Sequence, residues 1–83
     1  MYGLVIAHTV EKVINRLDAI TAKRVNDAIL KLADDPRPEG CRKVVSFKGV
    51  AYRVRAGDYR VIYEVDDKQK TVEILGVLPR PKA

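Results

Sequence analysis

Cysteine and histidine each occur once, as Cys41 and His8, in a chain of 83 residues. One cysteine excludes an internal disulfide and suits a reducing compartment. With no histidine near it in sequence, Cys41 reads as a buried or incidental thiol. His8 stands without cysteine or carboxylate partners at ligand spacing, so neither a metal nor a cofactor is expected. Glycine and proline are not abundant, and there is no low-complexity tract or internal repeat. The apolar run Leu4 to Ala7 is too short for a secretion signal, no basic segment precedes it, and nothing approaches a membrane span. These absences lead us to expect one cytoplasmic domain over residues 1–83, built on a single core, with no membrane partner.

What the chain does have is positive charge in one place. Residues 1–36 hold five basic and five acidic side chains and are neutral. Residues 37–60 hold Arg37, Arg42, Lys43, Lys48, Arg53, Arg55 and Arg60 against Glu39 and Asp58, and so supply the whole net charge of +5. The remaining residues balance four against four. A one-sided basic field attracts nucleic acid or an acidic protein, and the sequence does not separate the two.

Periodicity gives the elements. Tyr2 to Ala7 reads as an opening strand, apolar enough to lie inside a sheet. Thr9 is read as the N-cap of a first helix, with Glu11 in its first turn, where negative charge suits the dipole. Val10, Val13, Ile14 and Leu17 form its apolar stripe. Thr21 is read as the cap of a second helix with the stripe Val25, Ala28, Ile29 and Leu32, ended by Asp35-Pro36. The short connection makes the two helices an antiparallel hairpin. After the loop Arg37 to Cys41, strands are expected at Val44–Phe47, Ala51–Ala56, Tyr59–Val65 and Thr71–Leu78, with a break at Lys48-Gly49 and a polar turn at Asp66–Lys70. Pro79 and Pro81 stop the last strand and leave Arg80 at its exit. The fold class is therefore α+β: a short N-terminal strand, a helical hairpin, then a three- to four-stranded antiparallel meander, with helices on one face.

The segment Tyr52 to Val65 carries the most specific signal. With Gly57-Asp58 as a two-residue loop, Ala56 pairs with Tyr59 and Arg55 faces Arg60. Side chains repeat every second residue, so Arg53 shares that face. Like charges directly opposite one another destabilise a sheet. The face therefore either waits for a polyanion or pairs with Asp58, Glu64 or acids elsewhere. By the same parity Glu64 shares the arginine face as an ion-pair partner of Arg60 or Arg53, while Tyr52 and Tyr59 point into the core.

Taken together, Leu32–Pro38 (Leu-Ala-Asp-Asp-Pro-Arg-Pro), Tyr52–Asp66 and Val-Glu-Ile-Leu-Gly-Val before Pro79-Arg80 resemble a RelE/ParE-superfamily toxin of a type II toxin–antitoxin system, RelE-like branch. The likeness covers almost the whole length. It implies a RelE-like fold, a cytoplasmic toxin held inactive by a cognate antitoxin, and ribosome-dependent cleavage of mRNA in the A site. The implied reaction is attack of a ribose 2′-hydroxyl on the adjacent phosphate, leaving a 2′,3′-cyclic phosphate and a 5′-hydroxyl without a metal. Arg53, Arg55, Arg60 and Arg80 fall at the positions of the branch's catalytic basic residues, and Arg42, Lys43 and Lys48 are candidate contacts to RNA or ribosome. Well-known mRNA-cutting members carry lysines where this chain has Arg53 and Arg55. They also carry a tyrosine shortly after the position of Arg80, where this chain reads Pro81-Lys82-Ala83. Arginine holds its proton and is a poor general base. The alternatives are a ParE-like inhibitor of DNA gyrase and a catalytically weak member that chiefly binds its antitoxin.

Overall fold

The computed structural model describes residues 1–46 and 49–80. Strand β1 (Gly3–Ile6) leads into helix α1 (His8–Asn15) and helix α2 (Ala19–Asp34); strands β2 (Arg42–Ser46), β3 (Gly49–Ala56), β4 (Tyr59–Asp66) and β5 (Thr71–Pro79) follow. The expected class holds, with four strands in the meander. Phe47, Lys48 and Pro81 lie outside the described residues. Pro79 belongs to β5 instead of stopping it at Leu78.

Both helices begin earlier than their threonines suggested. Ala7 occupies the cap position of α1 with no side-chain bond, and Val10 and Glu11 donate their amides to its carbonyl. For α2 the cap is Asp18, whose carboxylate accepts from the amide of Thr21 at 3.1 Å. Aspartate caps as well as threonine does, and its charge also answers the dipole. That bond lowers the Asp18 carboxyl below its ordinary range. The helix ends at Asp34, as the proline at position 36 requires.

The sheet order is β1-β5-β4-β3-β2. β1 is thus an edge strand, not an interior one, and pairs only with β5, in parallel. The helices carry the chain across one face, so the meander starts at the far edge and works back towards β1. All other pairings are antiparallel. The β3–β4 hairpin has the expected register, Ala56 with Tyr59 and Arg55 with Arg60. Its turn places Gly57 at φ 63 while Asp58 keeps a negative φ, the pattern of a type II′ turn. A bulge between Ile62 and Tyr63 adds Leu75 to β5 without a partner opposite.

The helices cover one face. Val10 and Ile14 of α1 and Val25, Ile29 and Leu32 of α2 meet Val61, Tyr63, Val72, Ile74 and Val77 of the sheet in one buried cluster. Leu17, Tyr52, Val54 and Tyr59 pack against its margin, so both tyrosines lie on the core side. Each fully buried Val, Ile or Leu side chain contributes roughly 1.5–3 kcal/mol. Strand alternation then sends Arg53, Arg55 and Arg60 to the opposite face, which no helix covers.

Candidate functional site

Two cross-strand pairs of arginines set the character of the open face. Arg55 on β3 stands opposite Arg60 on β4, and Arg53 on β3 stands opposite Arg42 on β2. Arg80 joins them from the end of β5, where its amide donates to the carbonyl of Asp58 at 2.8 Å and ties the strand exit to the hairpin turn. Together with Gly40, all five arginines line one open depression of about 360 Å³. Four elements far apart in sequence thus deliver guanidinium groups to a single place.

Nothing described neutralises them. The ion pairs among the described residues are His8–Glu11, Lys23–Asp27 and Arg37–Asp67, and none involves the five arginines. Arg55 donates only a long bond of 3.4 Å from Nε to the carbonyl of Gly57. Arg60 Nε is withdrawn from solvent without an acceptor among the described residues. A donor left in that state costs about 1–3 kcal/mol, which an incoming anionic oxygen would recover.

Glu64 does share the Arg60 face by parity, yet it does not pair with Arg60 or Arg53. It stands opposite Glu73, four residues along β4 from Arg60, about 13 Å at strand spacing. There it lines a different depression, of about 640 Å³, with Asp66, Asp67 and Glu73. Lys43 is also apart from the cluster: opposite Tyr52, it points to the helix side, whereas Arg42 stays with the arginines. Lys48 lies outside the described residues. No carboxylate or imidazole lines the arginine depression among the described residues. The site can therefore hold and stabilise negative charge, but it offers no side chain suited to take a proton at neutral pH.

The fold has known counterparts. The family model for the ParE toxin of the parDE type II toxin–antitoxin system matches residues 4–83. The chain belongs to the RelE/ParE family of toxins. It is 32% identical to the archaeal RelE in the RelE–RelB complex of Pyrococcus horikoshii OT3, with a TM-score of 0.87 over 99% of this chain and 98% of that one. The toxin of the RelBE2 complex of Mycobacterium tuberculosis shares the fold at 24% identity, with a TM-score of 0.81 over 95% and 98% of the two chains. So does a YoeB/ParE toxin from Agrobacterium tumefaciens, at 16% identity and a TM-score of 0.76 over 95% and 99%. Among curated protein sequences none matches. No helix among the described residues is long and apolar enough to cross a membrane.

The toxin also contains a polar clamp that the sequence reading missed. Arg37 looks like part of the basic field, but its two terminal nitrogens donate to the Asp67 carboxylate at 3.2 and 2.9 Å, and its Nε donates to the Tyr52 hydroxyl at 3.0 Å. Its guanidinium also lies over the Tyr52 ring, 5.3 Å from the centroid. Tyr2 adds its hydroxyl to Asp67 at 2.7 Å. The bonds from Arg37 and then Tyr2 hold the Asp67 carboxyl at about 2, and in return the Arg37 guanidinium is raised above its ordinary value. Beneath them Tyr63, stacked on Tyr52, donates to the carbonyl of Pro36 at 2.7 Å, and burial pushes its phenol upward. The clamp fixes the loop between α2 and β2 against the β4–β5 turn, and that loop leads directly into Gly40 and Arg42. A pairing over thirty residues, with aspartates at 34, 35, 66 and 67 all available, leaves no local trace in sequence.

Proposed function

We propose that this toxin is a ribosome-dependent endoribonuclease that cleaves mRNA in the A site and so inhibits translation in the cytoplasm. The observation that carries the reading is the convergence of Arg42, Arg53, Arg55, Arg60 and Arg80 on one depression, with no carboxylate against them among the described residues. Attack of a ribose 2′-hydroxyl on the neighbouring phosphorus gathers charge on the non-bridging oxygens. The bond to the leaving 5′-oxygen breaks, giving a 2′,3′-cyclic phosphate and a 5′-hydroxyl. In this reading Arg60 receives the developing charge: its Nε has no acceptor among the described residues, and Arg55 stands directly opposite. Arg53, Arg80 and Arg42 clamp adjoining phosphates. No described side chain in the depression serves as base, so the 2′-hydroxyl gives its proton to water, the leaving 5′-oxygen takes one from water, and the ribosome's part is to align the 2′-hydroxyl for in-line attack.

A cognate antitoxin is the expected protein partner, by likeness to the Pyrococcus toxin, which is in complex with RelB. Apolar side chains left in water on the helix side, Ile20, Leu30, Val45 and Val50, give such a partner a surface to cover. Primer extension on mRNA from a cell-free translation reaction, with and without ribosomes, tests the activity. Cuts within A-site codons that need ribosomes support it, and intact mRNA with folded protein overturns it. The missing base and the match to the ParE model favour gyrase inhibition as the second reading. A supercoiling assay tests that reading directly.

A further inference from the structure

The arginine depression does not end at the hairpin. A second open depression, of about 470 Å³, adjoins it and shares Val54 and Arg55 as wall, while its other side is α2, through Arg24, Asp27 and Lys31. The two meet at Val54 and Arg55, and the second runs on to Gly57. A Cβ at Gly57 would lie 3.2 Å from Arg24 Cδ and 3.4 Å from its Nη1, so the Arg24 side chain lies across the turn in the space that glycine leaves. Lys31 follows seven residues later on the same helix face. Asp27 is already engaged, its Oδ2 accepting from Lys23 Nζ at 3.2 Å. Arg24 and Lys31 have no ion-pair partner among the described residues, and Glu39 is the one other acid on the wall. Helix α2 thus presents, beside Arg55, two cations with no ion-pair partner among the described residues.

We propose that Arg24 and Lys31 bind the backbone of the same single-stranded polynucleotide that the five arginines engage, at phosphates beyond the Gly57 turn. This inference rests on the endoribonuclease reading for the identity of the strand. A polynucleotide held at Arg60 carries phosphates on either side of the reacting one, and beyond Arg55 the adjoining wall offers Arg24 and Lys31 to them. An acidic peptide is the weaker match, since Glu39 would repel it without the compensation of a dense phosphate charge.

The test is anisotropy titration of a short labelled single-stranded RNA at several salt concentrations, using the full chain. Variants are Arg24→Ala with Lys31→Ala, the charge-preserving Arg24→Lys with Lys31→Arg, Arg60→Ala, and Lys12→Ala on α1 as control. Removing two phosphate contacts reduces the slope of log K against log salt by about 1.4. Affinity at low salt falls by about 3- to 30-fold, as two exposed charge contacts allow. The charge-preserving pair and Lys12→Ala keep the native slope. An unchanged slope in the double alanine variant, with binding weakened by Arg60→Ala, overturns the inference and leaves the endoribonuclease reading standing. RNA binding indifferent to Arg60→Ala as well overturns that reading too. Binding of poly-glutamate that drops in the double variant while RNA binding does not would assign the surface to an acidic protein instead.

Discussion

At Arg60 one guanidinium nitrogen is out of water and without an acceptor among the described residues, and Arg55 stands opposite on the neighbouring strand. Arg60→Ala therefore removes a preorganised donor and should lower the cleavage rate by about 100- to 1000-fold. Growth arrest on expression should be relieved while the circular dichroism spectrum is retained. Arg55→Ala should leave the fold at least as stable as the native one in urea denaturation, because it removes a like-charge pair from the sheet. Asp67 makes the opposite demand. Its carboxyl falls from an ordinary 3.8 to about 2 on folding, so its charge favours the folded state fully above about pH 4. That contribution is lost as pH drops from about 4 through 2, so the stability gap between native protein and Asp67→Asn should close over that interval. Urea denaturation of both proteins along a pH series measures it.

The register of the β3–β4 hairpin was legible in the sequence, because a Gly-Asp pair between alternating strands admits one register and parity then fixes every face, although β3 begins at Gly49 and β4 runs to Asp66. The stripes of α2 were legible for the same reason of period. The caps were not: Asp18, Thr9 and Thr21 are all competent caps, and only the path of the chain before each helix chooses among them. The edge position of β1 was hidden too, since an apolar four-residue strand reads alike at an edge or inside, and pairing with β5 spans the whole chain. Of the candidate site, Arg53, Arg55 and Arg60 followed from parity alone, whereas Arg42 parts from Lys43 only because β2 begins where it does. Gly57→Ala tests the turn itself: a side chain at φ 63 that also meets Arg24 at 3.2 Å should cost about 1–2 kcal/mol and shift the RNA titration. Leu32→Ala, at a fully buried point of α2, should cost about 2–5 kcal/mol by thermal denaturation.

Across the whole molecule, charge divides the open face into two poles. Arginines occupy the end near the Gly57 turn, and Glu64, Glu73 and Asp66 the end near residue 70. Repulsion at the basic pole is relieved by any polyanion, so single-stranded RNA should raise Tm at low salt and lose that effect at high salt.

The position of β5 bears on when this toxin becomes dangerous. β5 lies between β4 and β1 in the sheet, and Arg80 follows it in the chain. A nascent chain ending before residue 71 has β1 unpaired, lacks Val72, Ile74 and Val77 of the core, and is short of its fifth arginine. Closure of the core and completion of the arginine depression therefore both wait on residues 71–80.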